Sequence, residues 1–298
     1  MLLNRLGEFG LIKRIRKSIK YYDPSVIKGT GDDCAVLALD KNNYQLFTCD
    51  MLVEGVDFRH NEDPYLIGRK SLAVSISDIA SCGGSPRYCL VSLSVTKKTS
   101  VAFADKFLRG MLDLAKKFKI NIVGGDLTRS SQLAIDVSML GSVEKKNLVL
   151  RSGAKNNDII FVTGSLGGSI SGKHLRFTPR VKEARFLVEN FKINAMIDIS
   201  DGLLQDLGHI LEESGVGATV YEELIPLSKQ AKSLKDALYS GEDFELLFTA
   251  SPAEAKKILK LKPGISRPIG EITNAQGLRL IDKRGRQDLI KHKGFTHF

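Results

Sequence analysis

The sequence lacks the cysteine and histidine arrangements that hold structural zinc. Its four cysteines include no CxxC pair, and no histidine lies at zinc-ligand spacing. The chain also has no stretch of 18 apolar residues, no secretory signal and no transit peptide. These absences argue against a zinc domain and a membrane span, and they lead us to expect a reduced, cytoplasmic protein.

The residues of nucleophilic catalysis are missing too. There is no GxSxG elbow and no comparable Cys and His pairing, and the five histidines are dispersed. Residues 167–173 fit GxxxxGK, but His174 stands where a P-loop needs Ser or Thr for magnesium, and Pro179 follows soon after. We therefore expect no P-loop, and packed or surface positions for the histidines.

Positive charge is in excess, without a nucleic-acid-binding pattern. The formal net charge of +10 could indicate nucleic acid, an anionic membrane or phosphorylated small molecules as partners. No aromatic residues alternate with the basic ones in the way that stacks bases, so solvated helix faces explain the basic clusters. We expect no nucleic acid and no membrane as partner.

Six short acidic segments break the apolar runs of the chain. They are 31–33, 48–50, 77–78, 124–126, 198–201 and 241–243. Any one could be a turn or a helix cap, where Asp, Gly and Ser are favoured. Six with the same strand-then-acid layout are hard to obtain from capping alone. Carboxylates gathered near a core repel one another unless cations lie between them, and magnesium prefers such oxygen ligands. We interpret the segments as one magnesium and phosphate site.

Periodicity predicts mixed helices and strands. Helices are expected over 2–20, 65–80 and 104–118 and after Asp201, which we expect to cap its helix; strands are expected over 34–39, 44–49, 87–95, 120–123, 133–143, 158–163, 195–199 and 245–250. Strand and crossover helix do not alternate strictly, which favours two α+β layers over a doubly wound sheet. The polar run 144–147 is the expected boundary between domains 1–145 and 146–298.

The acidic segments indicate which type of reaction the site could catalyse. Without a covalent intermediate, carboxylates and metal suit direct in-line phosphoryl transfer, where catalysis is positioning and charge neutralisation. A kinase and an ATP-dependent ligase both remain open on this reasoning.

The acidic segments and their flanks resemble the thiamine-monophosphate kinase family, in the superfamily of aminoimidazole ribonucleotide synthetase and selenophosphate synthetase. The resemblance runs nearly end to end, over 7–9, 31–35, 50–58, 72–80, 124–130, 151–155, 197–203, 241–248 and 294–298. It implies an α+β homodimer of two-domain subunits in which the N-terminal mixed sheets join into a barrel. It also implies transfer of the ATP γ-phosphate to thiamine monophosphate, with Mg²⁺ and ATP bound.

The resemblance also implies site residues, carried over by position. The magnesium ions would be surrounded by Asp33, Thr48, Cys49, Asp50, Asp78, Asp126, Asp198 and Asp201, of which Asp126 and Asp201 would be catalytic. ATP would contact Gly125, Asp126, Arg151 and Ser200. The thiamine side would carry Asp57, Glu242 and Phe295.

Three substitutions depart from the family pattern. Asp57 replaces a usual His at the substrate, Cys49 replaces a usual Thr or Ser, so a metal contact there would use the backbone or be lost, and Ser240 replaces the first Gly of the usual Gly-Gly-Glu-Asp. The segment 168–173 is also shorter than the family's helical insertion. The alternatives are another ATP-dependent enzyme of the superfamily with a different acceptor, and a non-enzymatic protein that binds anions or nucleic acid.

Overall fold

The fold was determined as a computed structural model, and it describes residues 2–20, 23–261, 265–290 and 294–297. Within these ranges, none of the helices combines the length and apolar character needed to cross a bilayer.

The first half of the chain builds one sheet and four helices. Its elements are α1 (Leu3–Leu6), α2 (Glu8–Ser18), β1 (Val26–Lys28), β2 (Ala35–Ala38), β3 (Asn43–Val53), α3 (Pro64–Ser81), β4 (Ser85–Val95), α4 (Val101–Phe118), β5 (Asn121–Arg129) and β6 (Ala134–Glu144). The strand order is β1-β2-β3-β6-β4-β5. Only β4 and β5 are parallel among these pairs, and α4 connects them, as a parallel pair requires a crossover.

The two faces of this N-terminal sheet differ in what covers them. Along β6, alternate residues from Ile135 to Val143 are buried, and the residues between them are only half-buried. The buried set packs in the core with α3, whose residues are buried on nearly all sides. The opposite face, which we call the open face, carries Phe47, Tyr88 and Leu90, each more than 40% exposed. The sheet therefore has one covered and one solvent-facing side.

The second half of the chain builds a seven-stranded sheet with five helices. Its elements are β7 (Ile159–Val162), α5 (Lys173–Arg176), α6 (Val181–Asn190), β8 (Ile193–Asp198), α7 (Leu203–Ser214), β9 (Gly217–Tyr221), α8 (Leu234–Tyr239), β10 (Leu246–Ala250), α9 (Pro252–Ile258), β11 (Arg267–Thr273), β12 (Leu278–Ile281) and β13 (Gln287–Ile290). The order is β13-β12-β9-β11-β7-β10-β8, mixed through the parallel β12–β9 pair.

Strand β10, inside the second sheet, is covered on both faces. In β10, Phe248 joins the core shared with the N-terminal half, and Leu247 joins a second core around α7. A strand with both faces covered is apolar throughout, and every residue of β10 is buried. The architecture is α+β, as predicted. The domain boundary near 145 stays a prediction, because one hydrophobic core runs across both halves.

Three predicted elements differ from the observed ones. The helix expected over 2–20 is two helices, since Gly7 at φ 72° interrupts it and its carbonyl accepts from Leu11 N. β3 extends to Val53, past the predicted end at 49. β5 continues through Gly124, Gly125 and Asp126 to Arg129, so this acidic segment lies within a strand and does not follow one.

The segment 167–173 forms no phosphate loop. Residues Ser169–Ser171 make a single 3₁₀ turn, and the helix after it has four residues. Lys173 Nζ binds the Glu245 carboxylate at 3.0 Å and the Ser165 carbonyl at 3.1 Å. The lysine is thus held by its own chain, as expected for a segment that is not a P-loop.

Candidate functional site

Helix α3 carries hydroxyl groups to carboxylates of both halves of the chain. Ser75 Oγ donates to Asp50 Oδ2 of β3 at 2.7 Å. Ser77 Oγ donates to Asp198 Oδ2, at the end of β8 in the second sheet, at 2.5 Å. Because Ser75 and Ser77 lie on one buried helix, they bring carboxylates 148 residues apart in sequence to the same place.

Two further carboxylates complete the cluster. Asp78 of α3 accepts a 2.5 Å hydrogen bond from Thr48 Oγ1 of β3. Asp33 accepts a hydrogen bond from Ser81 Oγ, at the end of the same helix. The carboxylates of Asp33, Asp78 and Asp198 offer oxygen atoms that all lie within 4.8 Å of one another. We call Asp33, Asp50, Asp78 and Asp198 the carboxylate cluster.

Burial strongly raises the pKa of three acids of the cluster, Asp50, Asp78 and Asp198. Desolvation, followed by the charge of Asp33, raises the pKa of Asp198 to about 8. Desolvation also raises the pKa of Asp50 to about 6 and holds that of Asp78 well above its usual range. Each raised pKa means that the folded protein disfavours the ionised carboxylate, because like charges face one another away from water. The cluster needs positive charge if all its members are to be ionised.

Arg151 supplies part of that charge. Its Nε donates to Asp33 Oδ1 at 3.0 Å and its Nη2 to the same oxygen at 2.5 Å. Its backbone N–H donates to the Asp32 carboxylate, whose pKa burial raises to about 7. Lys28 adds a second cation, with its Nζ 3.9 Å from Asp32 Oδ2, but two positive charges cannot balance five carboxylates, counting Asp32 with the cluster. The all-oxygen donor set and the uncompensated charge fit hard divalent cations such as magnesium.

A turn at the start of α7 holds the next two acids. The Asp206 carboxylate accepts from the backbone N–H groups of Asp201 and Gly202, at 3.1 and 3.0 Å. The prediction that Asp201 caps this helix is wrong: Gly202 is the N-cap residue, and Asp206 holds the turn that precedes the helix. Burial raises the pKa of the Asp201 carboxylate to about 6.

A cavity of about 370 Å³ lies between α2 and α7, beside this turn. Predicted site residues Arg151, Ser200 and Asp201 line it, together with Phe9 of α2 and His209 of α7. The Phe9 ring lies 5.2 Å from the His209 ring, so the cavity has an aromatic wall beside its charged one. The structure thus brings a predicted ATP-contact pair, Arg151 and Ser200, to one cavity.

A second cavity, of about 320 Å³, lies between the loop 29–33 and the open face of the N-terminal sheet. Asp33, Thr48 and Cys49 line it, and Asp32 lies beside them. The loop 29–33 separates the two cavities, since Gly31 lines the first and Asp32 lines the second. Ligands of the carboxylate cluster are therefore reachable from this side.

Main-chain hydrogen bonds hold two of the predicted thiamine-side residues, Glu242 and Phe295, against the 200–201 turn. Glu242 forms an ion pair with Lys70 of α3, and its backbone N–H donates to the Ser200 carbonyl at 2.7 Å. The Phe295 N–H donates to the Asp201 carbonyl at 2.9 Å. Asp57 is different, because its carboxylate accepts a 2.7 Å hydrogen bond from Val53 N and so caps its own turn. Glu242 and Phe295 both adjoin the 200–201 turn.

Two predicted metal positions lie away from the cluster. Asp126 pairs in register with Ser92, and Ser92 with Asp136, whereas Gly125 and Val91 occupy the row of Asp50. Neighbours in register share a face, so Asp126 points to the open face, opposite to Asp50. The Cys49 side chain points to the open face for the same reason. Within this chain the structure therefore does not bring Asp126 to the carboxylate cluster.

Sequence reasoning missed several residues of the site. Asp206, Lys70, Ser75 and Ser81 contact the predicted acids or their turns. A signal was available on α3, where polar residues occupy positions of a helix that is buried all round, and buried polar groups need partners.

A larger cavity lies elsewhere. It measures about 710 Å³, at the end of the N-terminal sheet beside the start of α4, and is lined in part by Phe58, Lys97 and Ser100. None of the predicted site residues lines it. Volume alone therefore does not locate the charged site, which the buried carboxylates define.

Two protein-family models match this chain. Residues 31–143 match the AIR synthase related protein N-terminal domain, and residues 139–283 match the C-terminal domain. A structure of hydrogenase maturation protein HypE from E. coli, 17% identical, has the same fold with a TM-score of 0.73 and covers 96% of this chain and 97% of its own.

Relatives of higher identity narrow the class. Thiamine-monophosphate kinase of Buchnera aphidicola subsp. Schizaphis graminum is 38% identical over 98% of this chain and 99% of its own, and that of Bacillus subtilis is 34% identical over 98% and 100%. A solved structure of AaThiL complexed with AMPPCP and TMP aligns with a TM-score of 0.88 at 30% identity, covering 100% of this chain and 99% of its own. The chain belongs to the thiamine-monophosphate kinase family.

Proposed function

We propose that the protein transfers the γ-phosphate of ATP directly to thiamine monophosphate, giving thiamine diphosphate and ADP, with magnesium bound. The observation that carries the proposal is the carboxylate cluster, assembled by α3 from both halves of the chain beside Arg151. The named activity of the relatives and the nucleotide and TMP bound to AaThiL support the choice of substrates.

The cluster residues would hold the magnesium ions, which neutralise the charge of the phosphates in this class of reaction. Asp33, Asp78 and Asp198 are the first candidates, because their oxygens converge. Serine hydroxyls of α3 fix the carboxylate orientations, and Arg151 carries a fixed positive charge beside them. Arg151 and Ser200 line the cavity in which we place the ATP phosphates.

The acceptor needs no general base on this account. The second ionisation of a phosphate monoester has a pKa near 6, so the attacking oxygen of thiamine monophosphate already carries charge near neutral pH. The protein's contribution is to hold two anionic phosphates in line against their repulsion. Glu242 and Phe295, next to the 200–201 turn, are proposed to contact the thiamine part.

We further propose a homodimer formed through the open face. Phe47, Leu140 and Tyr88 lie in one row across three strands, and Leu90 lies on the same face. An exposed apolar patch of this kind is typical of an interface. A second copy seated there would cover the face that carries Asp126, and we keep Asp126 as a proposed metal ligand in that assembly. A cytoplasmic location stays a prediction.

An acceptor panel tests the proposed function. Purified protein with ATP and magnesium is offered thiamine monophosphate, thiamine and aminoimidazole ribonucleotide precursors in parallel, and products are identified by mass. We expect thiamine diphosphate alone. Phosphorylation of another acceptor would replace the substrate assignment. Steeply salt-dependent binding of oligonucleotides, without any phosphorylated product, would favour the nucleic-acid-binding alternative.

A further inference from the structure

Lys70, in the first half of α3, is a charged side chain with no exposed surface. Its relative exposure is 0%, and it heads the largest fully buried side chains of the described residues. Burying an ammonium group is costly unless hydrogen bonds and an opposite charge compensate it. The buried Lys70 ammonium group therefore needs hydrogen-bond acceptors and an opposite charge inside the protein.

The ammonium group of Lys70 has two such partners, from different parts of the chain. Its Nζ donates to the main-chain carbonyl of Asp57 at 2.6 Å and to the Glu242 carboxylate Oε1. The first partner lies in the turn after β3, and the second lies in the loop between α8 and β10. Lys70 thus joins the two segments that carry predicted acceptor contacts.

The loop that presents Glu242 has an unusual backbone. Gly241, Glu242 and Phe244 have φ values of 68°, 56° and 49°, in the left-handed region that residues other than glycine rarely adopt. The loop is held against the 199–201 turn, since Glu242 N donates to the Ser200 carbonyl at 2.7 Å. Strained backbone of this kind persists where surrounding contacts fix it, and such contacts cluster at functional sites.

The backbone of Glu242 is therefore fixed by the 199–201 turn, while its carboxylate is fixed by Lys70. The Glu242 side chain is 23% exposed, so it reaches the solvent side of the pair while Lys70 stays buried. Without Lys70, the carboxylate would lose its ion pair and rotate among other positions.

We propose that Lys70 is a positioning residue that orients the Glu242 carboxylate and the Asp57 turn for the acceptor. The inference rests on the proposed function, and it adds a residue whose effect passes through Glu242. It predicts that acceptor binding depends on Lys70 and that ATP binding does not.

A double-mutant cycle tests this role. Lys70→Met keeps an unbranched apolar chain of similar length, and Glu242→Gln removes the charge from the exposed partner. We expect each single variant to raise KM for thiamine monophosphate about tenfold and to leave KM for ATP within about twofold. The double variant should be no worse than the poorer single variant, because both changes remove the same interaction.

Arg185→Met is the matched control. Arg185 forms an ion pair between α6 and Glu144 at the end of β6, so it also joins the two halves, but it lies outside the site. It should lower the melting temperature and leave both KM values unchanged. If Lys70→Met does not fold, Lys70→Arg, which keeps the charge, replaces it and should give a smaller rise in acceptor KM.

Multiplying effects in the double variant, or equal rises in both KM values, would overturn the positioning role. Failure of the proposed function looks different. If the wild type phosphorylates another acceptor from the panel, the substrate assignment falls and the cycle is read on the KM of that acceptor. If no acceptor is phosphorylated, both proposals are overturned.

Discussion

Replacing Asp198 by Asn separates the cost of a buried charge from the packing of the side chain. Asp198 is 2% exposed and accepts the hydroxyl of Ser77 at 2.5 Å. Burial raises its pKa from 3.8 to about 8. Asn has the same shape, and its amide oxygen can accept the same hydrogen bond, but it carries no charge. The variant therefore tests the charge alone.

The sign of the effect follows from proton linkage. Between pH 3.8 and about 8, the folded state holds a proton on Asp198 that the unfolded chain has lost. The free energy of unfolding of the wild type therefore falls as pH rises through this window. At about 1.4 kcal/mol per pH unit, Asp198 accounts for about 4 kcal/mol between pH 5 and pH 8. The D198N variant should lack this part of the slope.

Urea unfolding at each pH, with a chelator present, measures the difference. We expect the free energy of unfolding of D198N to rise relative to that of the wild type from pH 5 to pH 8. At pH 8, D198N should be the more stable protein. Magnesium should stabilise the wild type most at pH 8, where the carboxylates release their protons readily, and should stabilise D198N much less. Phosphoryl transfer by D198N should be largely lost.

Asp158→Asn is the matched control, because Asp158 is also 2% exposed. Its carboxylate accepts hydrogen bonds from Asn194 Nδ2 at 2.8 Å and from Lys155 N at 2.9 Å, and these donors stabilise its negative charge. D158N should be less stable than the wild type at every pH. Parallel pH slopes for D198N and the wild type would refute the reasoning, as would lower stability of D198N at pH 8.

Three further predictions concern assembly, stability and the acceptor turn. Leu90→Asp on the open face should give a monomer by light scattering, whereas Leu224→Asp, at a similar exposure on the second half, should not; a monomeric wild type would contradict the interface. Glu245→Gln should cost about 3 kcal/mol in urea unfolding, because the buried Glu245 carboxylate is the partner of two half-buried cations, Lys173 and Arg180; a change below about 1 kcal/mol would contradict this. Asp57→His should leave turnover within about tenfold, since Asp57 caps Val53 N; a larger gain would mean another acceptor.

The sequence predicted the helices and strands well where their period was regular. Helix α3 and strand β6 have the expected bounds to within one or two residues, and in β6 every second residue is buried, as the alternation predicts. The break at Gly7 was missed, since the apolar spacing continues across it and only the backbone conformation reveals two helices.

The sequence predicted which acidic residues belong to the site. It predicted their arrangement in space less well. Asp50 and Asp126 both follow apolar residues in strands, but strand register decides the face, and register cannot be counted along one strand. Asp206 was missed because it looks like an ordinary polar residue of an amphipathic helix. Lys70 was missed for the same reason, and only its burial shows that its charge has a role.

Buried carboxylates from both halves of the chain should support direct phosphoryl transfer to thiamine monophosphate. Phosphorus NMR of the wild type with ATP, thiamine monophosphate and magnesium follows this transfer. We expect ADP and thiamine diphosphate in a one-to-one ratio and no inorganic phosphate, no reaction with a chelator, and a largely lost reaction with D198N. Thiamine diphosphate formed at the wild-type rate by D198N, or ATP hydrolysed without a phosphorylated acceptor, would refute direct transfer supported by these carboxylates.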